Sequence, residues 1–438
     1  MRTNSEAGSP PLNQKAKPEL KSTLRFPEFK AVTWMQKPLR ELAQLTTERA
    51  GNAKCILMSI TSGVGLVSQM EKFGRTIAGK QLKNYFVLRA NNFAYNKSAT
   101  KEYPQGSIAM YSGAELAAVP NSIFTCFSVR ADEVYPEYLH RLFLGNIHGR
   151  WLRKFISVGA RAHGSLNVND DDLLSLPVPL PVGRTSIKEQ KKIADCLASI
   201  DSLIEAEARK VDALNAHKKG LIQYLFPIDA ENQPRLRFAA FREKDGWKKQ
   251  TVSSILEKVV NPVSVEINRL YRQIGIRSHG KGIFHKAAVN GKELGDKRVF
   301  WVEQDAFIVN IVFAWEQAVA ITSASESGMI ASHRFPMYRA KRGKCNVKYI
   351  MYFFLTRKGK QLLGLASPGG AGRNKTLGQK EFDGLGFFLP ETVEEQTRIA
   401  DCLASIDDLI AAHSKKLDAL KLHRKGLMQQ LFPFDEGR

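Results

Sequence analysis

EQKKIADCLASIDSLIEAEARKVDALNAHKKGLIQYLFP, residues 189–227, returns at residues 395–433 as EQTRIADCLASIDDLIAAHSKKLDALKLHRKGLMQQLFP. The copies align without a gap, and 26 of their 39 positions are identical. The roughly 160 residues before each copy share little at first reading, so one constant frame carries two variable segments.

Each copy begins on a capping-box pattern, Ser186 to Glu189 and Thr392 to Glu395, in which hydroxyl and carboxylate satisfy free N–H groups of the first turn. Each ends on Leu-Phe-Pro, and Pro227 and Pro433 cannot continue a helix. A helix of about 39 residues at ~1.5 Å rise is a rod of roughly 57 Å.

Alternating steps of four and three trace Ile193, Leu197, Ile200, Ile204, Glu207, Val211, Leu214, Lys218, Leu221 and Leu225 in the first copy. In the second they trace Ile399, Leu403, Ile406, Ile410, His413, Leu417, Leu420, Arg424, Leu427 and Leu431, with polar residues in the same two columns. A 3.5-residue period held this long predicts a coiled-coil seam rather than the buried face of an ordinary helix. The partner is the other copy, parallel or antiparallel. An antiparallel pair would let Glu207 meet His413 as a polar register marker; otherwise these residues face a solvated gap. Gly220 and Gly426 each cost about 1 kcal/mol in a helix and imply close backbone packing or a slight bend.

A chain of 438 residues with 43% apolar and 25% charged residues is long enough for two or three globular domains. Its 65 Lys and Arg against 43 Asp and Glu leave a formal charge of +22, which points to a polyanion partner; a bare solubility charge is the alternative. Residues 1–22 are polar and Pro-containing, with no apolar stretch of a signal peptide, and read as a flexible tail. No run approaches the ~18 apolar residues that span a bilayer, so a cytoplasmic protein without a membrane partner is expected. The five cysteines include no Cys-x-x-Cys pair and the nine histidines are scattered, so neither a disulfide framework nor a metal site is indicated.

The variable segments are themselves related. Leu24-Arg25-Phe26, Phe29 and Trp34 match Leu236-Arg237-Phe238, Phe241 and Trp247. Further on, an offset of 211 pairs Phe124 with Phe335, Tyr138 with Tyr349, Phe143 with Phe354, Gly159 with Gly370 and Leu166 with Leu377. Tyr85–Leu88, Ile123–Val129 and Val299–Val302 read as strands, and Tyr138–Phe155 and Val347–Leu365 as helices. Two homologous α+β heads follow.

This arrangement of head, long helix, head and long helix resembles the specificity subunit of a type I restriction-modification enzyme. The residues that carry the likeness are Glu189-Gln190, Ile193-Ala194, Leu197, Ile200-Asp201 and Leu203-Ile204, repeated from Glu395-Gln396 to Ile410, with the Leu-Pro approach and Leu-Phe-Pro exit. It spans the chain from about Leu24 to the end. The resemblance implies an α+β fold with two homologous target recognition domains, separated by two long helices that form an intramolecular antiparallel coiled coil, with pseudo-two-fold symmetry. It implies a tail at 1–22, target recognition domain 1 at 23–185, a repeated helix at 186–227, a linker and target recognition domain 2 at 228–391, the second helix at 392–433 and a tail at 434–438. Each domain would read one half of a bipartite site in double-stranded DNA, and the coiled coil would fix their spacing and dock two methyltransferase (modification) subunits. Restriction subunits with translocase and nuclease activity would join them. S-adenosylmethionine, ATP and Mg would belong to those partners, with no cofactor and no catalysis on this chain.

The residues agree with that division independently. No Asn-Pro-Pro-aromatic methyltransferase motif occurs, Asn261-Pro262-Val263 being the nearest. Gly369-Gly370-Ala371-Gly372-Arg373-Asn374-Lys375-Thr376 is one residue from a phosphate loop, but a helical stretch precedes it where a strand is required. It and Gly159–Ser165 read as polar loops beside DNA. A nonspecific nucleic-acid scaffold remains the rival, with affinity steeply salt-dependent and no preferred site.

Base reading needs Arg or Lys for guanine and Asn or Gln for adenine. The first head offers Lys83, Asn84, Tyr85, Asn91, Asn92, Asn96, Lys97, Arg161 and His163. The second offers Arg272, Arg277, His279, Lys281, His333, Arg334, Arg373, Asn374 and Lys375. Among these Arg277, Lys281, Arg373 and Lys375 flank glycines that would let backbone approach phosphates.

Overall fold

The computed structural model describes residues 20–61, 64–77, 80–156, 164, 166–228, 231–369 and 375–433. The chain divides into two compact units, Met1–Ala206 with Leu417–Arg438, and Glu207–Lys416. The division runs through both long helices, Ser186–Leu225 of 40 residues and Val393–Leu431 of 39.

In the first unit, Trp34–Pro38 pairs with Pro177–Pro181 at the base of the head. One four-stranded antiparallel sheet takes the order Ala43–Leu45, Phe124–Val129, Phe93–Asn96, Ser107–Met110. A second takes the order Gly65–Ser68, Ile56–Thr61, Ala117–Val119, Phe86–Leu88, with a parallel pair in its middle. The second unit repeats this topology strand for strand. Lys248–Thr251 pairs with Gly386–Leu389, one sheet runs Leu256–Val259, Met337–Ala340, Phe307–Val309, Val319–Ile321, and the other runs Ile283–Asn290, Leu270–Ile276, Ile330–Ser332, Val299–Trp301. Its middle pair is parallel as well. The heads are thus two α+β copies of one fold.

Both expected head helices are broken once. Pro136–Leu144 stops at Gly145, and Asn146, left-handed at φ 58°, starts Ile147–Leu152 in a new direction. In the second head Val347–Leu355 ends at Thr356, whose extended backbone (ψ 166°) interrupts the ladder while its hydroxyl caps Gly359 N–H of Arg357–Leu365.

Each head's core is completed by both long helices. In the first unit Ile193, Ala194 and Leu197 join Tyr138, Leu139, Phe143 and Val178, and Met428, Leu431 and Phe432 close the same cluster. In the second, Ile399, Ala400 and Leu403 join Tyr349, Ile350, Phe353 and Phe387, with Leu225 and Phe226 alongside. Of the expected tail, Leu20 packs on the first core and Ser22 is half-buried, whereas residues 1–19 and 434–438 lie outside the described residues.

Within each unit the helices run antiparallel as a coiled coil. In the second unit Glu207 pairs with Lys416 (3.1 Å) and Lys218 with Asp407 (2.5 Å), so one helix rises as the other falls. In the first unit Asp201 takes Arg424. The apolar seam residues are all buried or half-buried: Ile193, Leu197, Ile200, Leu225, Ile399, Leu403, Ile406 and Leu431 fully, and Ile204, Val211, Leu214, Leu221, Ile410, Leu417, Leu420 and Leu427 in part. The polar columns are partnered as well. Glu207 meets His413, and the hydrogen bonds from His413 and Lys416 hold its carboxyl below the usual carboxylate range.

Two local expectations are corrected. A Cβ at Gly220 or Gly426 would meet open space, so close packing does not explain these glycines. The capping boxes do not close: Glu189 and Glu395 turn their carboxylates away from the helix start to half-buried arginines, because a bidentate guanidinium–carboxylate pair is stronger than a bond to a terminal N–H. Only half a box survives, Thr392 Oγ1 accepting from Glu395 N at 3.4 Å.

Candidate nucleic-acid interface

The Glu-Gln pair at the head of each long helix is a joint. Arg25 donates to Glu189 at 2.8 and 2.9 Å, and Arg237 to Glu395 at 2.7 and 2.8 Å, tying the segment before each head's first strand to its helix. Gln190 accepts from Tyr135 N, and Gln396 from Asn346 N, both at 2.8 Å, fixing the start of each head helix. About three turns on, Asp201 binds Arg141 of the head and Arg424 of the opposite helix, while Asp407 binds Tyr352 of the head and Lys218 of the opposite helix. These contacts make each head and its helix stretch one body.

Several candidate readers of the first head are committed to the fold. Asn91 is left-handed at φ 65°, and buried Asn92 accepts from Arg89 N at 2.8 Å; both asparagines build the turn before Phe93–Asn96. The Asn96 amide oxygen accepts from Ser98 N, and Lys97 reaches Asp170 at 3.4 Å. Tyr85 is half-buried on a small apolar cluster, whereas Lys83 and Asn84 are exposed. Arg161 and His163 lie outside the described residues.

In the second head Arg272 and Lys281 are exposed, and the turn at 277–282 is pinned. Ser278 Oγ donates to Glu316 at 2.7 Å, His279 N to Glu316 O at 2.7 Å and Gly280 N to Gln317 O at 3.0 Å. His279, Gly280 and Gly282 take φ of 60°, 64° and 76°, and a Cβ at Gly280 would sit 2.6 Å from Leu355 Cδ2. These glycines therefore serve the turn itself, a sufficient reason for them without a phosphate. The Arg277 guanidinium lies 4.9 Å over the Phe284 ring and Lys375 Nζ 5.7 Å from the Trp315 ring. Arg373 and Asn374, with most of the phosphate-loop-like stretch, lie outside the described residues. Among the described residues no group of three His, Cys, Asp or Glu could hold a metal ion, and no helix is long and apolar enough to cross a membrane.

His333 and exposed Arg334 stand beside a cleft of about 340 Å³, lined by Lys258, Arg298, Phe300, His333, Phe335, Tyr338 and Gln379 with aliphatic neighbours. Arg298 and Lys258 escaped the sequence reading. Pairing of Val299 with Ser332 brings Arg298 beside His333, whose N–H donates to Arg298 O at 3.1 Å, and only that register reveals the neighbourhood. The matching position in the first head is defined by the same bonds: Lys97 N donates to Ile123 O and Leu166 N to Lys97 O, as Ile311 N does to Arg334 O and Leu377 N to Ile311 O. There the first head offers Tyr85, just before its edge strand, and Lys97, where the second offers Arg298 and Ile311.

Duplicated heads of one topology, with different polar groups at one position and long helices paired antiparallel, define a two-headed recognition protein with a strongly basic surface. Residues 292–422 match the family described as the type I restriction modification DNA specificity domain. The chain is 22% identical over 331 residues, 74% of each chain, to "Putative type I restriction enzyme MjaX specificity subunit" of Methanocaldococcus jannaschii. Its fold resembles the crystal structure of the type I restriction-modification S subunit from M. genitalium, with TM-score 0.57, 13% identity, and coverage of 95% of this chain and 100% of that one. It also resembles a chain solved in work on complex assembly and conformational transition of the type I R-M system, with TM-score 0.51, 15% identity, and coverage of 92% and 98%. The chain is thus similar to type I restriction-modification specificity subunits, with the family match itself falling on residues 292–422.

Proposed function

We propose that this chain is the noncatalytic DNA-reading subunit of a type I restriction-modification complex, each head reading one half of a bipartite site in double-stranded DNA and the coiled coil setting the interval between the halves. The carrying observation is that the two heads keep one topology and one set of joints to the long helices while the polar groups at matching positions differ. A frame held constant under changing side chains is what two readers of different half-sites require.

Docking of two methyltransferase subunits is supported by the outward face of the long helices. Leu203 and Leu409 occupy the same repeat column and are 57% and 49% exposed. Their exposed neighbours Asp195 and Asp401, and Ser199 and Ser405, are also identical between copies, although solvent does not demand identity. Two equal surfaces fit two copies of one partner. S-adenosylmethionine, ATP and Mg are proposed to reside on the modification and restriction partners.

The test is methylation mapping in a host carrying this chain with its methyltransferase, before and after residues 236–391 are exchanged for another head. One half-site should change and the other persist. Change of both, or of neither, breaks the modular reading. Methylation with no preferred sequence would leave only nonspecific backbone binding.

A further inference from the structure

The cleft of the second head combines features that recur nowhere else among its described cavities. Its polar wall holds Arg298 and His333, neither of which has a side-chain hydrogen bond or ion pair among the described residues, while Arg237, Arg269 and Arg339 of the same unit are each paired with a glutamate. Its apolar wall holds Phe300 and Phe335, which make no ring–ring or cation–ring contact among the described residues although this head is rich in them. Lys258 adds a second cation beside Arg298, steadied by Gln379 at 2.7 Å, and no carboxylate lines the space among the described residues. An unpaired planar guanidinium matches phosphate oxygens two at a time, and an unpaired aromatic face matches a base of any sequence. A volume of about 340 Å³ suits one base with its sugar and phosphate and is far too small for a duplex.

We infer that this cleft takes a single nucleotide unit unstacked from a DNA strand, with the base against Phe300 and Phe335 and the phosphate on Arg298 and His333. The inference rests on the DNA-reading function and adds a way of reading to it: one residue of the half-site, or next to it, leaves the stack and is held by shape and charge. A base already mismatched or unpaired costs less to extrude and would be held more tightly.

The test uses the full chain and two independent probes. Titration with each of the four deoxynucleoside monophosphates should give saturable binding, weakened about tenfold or more in Arg298→Ala and in Phe335→Ala. Arg298 is exposed, so its variant keeps the experiment interpretable if the Phe335 variant folds poorly. In the complex with its methyltransferase, 2-aminopurine stepped through the mapped half-site should brighten at one position, and Arg298→Ala should quench that signal. If none of the four monophosphates binds and every probe position stays dark, the cleft is no nucleotide site, while methylation of a bipartite sequence would leave the DNA-reading function standing. Saturable binding of a free monophosphate with every probe position dark would overturn the DNA strand as the source. If mapping finds no preferred sequence at all, the DNA-reading function itself fails, and this inference with it.

Discussion

Glu189 and Glu395 stand at the same turn of the two long helices and each grips an arginine from the approach to its own head, but only Glu395 also accepts from a tryptophan, Trp247 Nε1 at 3.2 Å. Trp34, the matching residue of the first head, has no partner for its Nε1 among the described residues and lies instead under the Arg25 guanidinium at 5.4 Å. The same comparison recurs about three turns on, where Asp201 collects two guanidiniums and Asp407 a lysine and a tyrosine hydroxyl. The joints between head and helix keep their geometry and their acidic member, while the donors drift. Beyond the joints even the chemistry is free to change, as Tyr85 and Lys97 against Arg298 and Ile311 show. Tolerance thus rises from helix to sheet edge, the direction in which a constant frame gives way to a variable reading surface.

The hardest blow to this scheme is removal of a joint carboxylate. Glu395→Ala leaves Arg237, 8% exposed in its side chain, buried without its counter-charge and should cost about 3 to 5 kcal/mol. Glu189→Ala should cost less, because Arg25 is 14% exposed and no tryptophan N–H is stranded with it. Denaturant unfolding of the two full-length variants measures the difference. Equal losses would mean that the tryptophan bond adds nothing and that the two joints are energetically the same.

Those joints mark the limit of what the chain reveals before folding. The long helices, their seam and the duplication were legible because a 3.5-residue period and a gapless repeat are local signals, and Glu207 and His413 meet as the antiparallel alternative requires. The role of Glu189 was hidden because its partner is 164 residues away, and the local S-x-x-E pattern suggested a nearer one. The break at Asn146 was masked by apolar spacing that continues through it, since one left-handed residue redirects a helix without changing the pattern around it. Among candidate readers, chemistry alone marked Asn92 as equal to His333, yet one closes a turn and the other borders an open cleft. Arg298 carried no local signal at all, because its significance depends on strand register.

A second contrast lies inside the heads. Burial holds His148 and His140 of the first head down to about 4, Arg141 adding to the effect at His140, whereas the positions 211 residues on are Gly359 and Met351 and titrate nothing. Between the ordinary histidine value of 6.5 and about 4 the unfolded chain binds a proton that the folded head refuses, so stability contributed by these groups falls as pH drops through that window. For His148, almost wholly buried, the full loss near pH 4 is of the order of 3 kcal/mol. Hydrogen exchange followed on peptides from 136–152 and 347–365 should accelerate in the first and change less in the second as pH goes from 7 to 5, after correction for intrinsic exchange. Parallel acceleration would show that the acid response belongs to the shared frame.

The smallest test returns to the tryptophans. Trp247→Phe keeps an aromatic body in the same core but removes one of the two hydrogen bonds to Glu395 Oε1, leaving that from Arg237 Nε, and a hydrogen bond to a carboxylate is worth about 1.5 kcal/mol or slightly more. Trp34→Phe removes an N–H that bonds nothing among the described residues, so its cost should come from packing and from the weaker cation–π face offered to Arg25, and should be smaller. The loss of ring area is common to both variants and cancels in their difference, which leaves the Glu395 bond as the measured quantity. A difference near zero in thermal unfolding would show that Arg237 alone satisfies Glu395. The two joints would then be alike in energy as well as in place, and the drift between the heads would begin only beyond them.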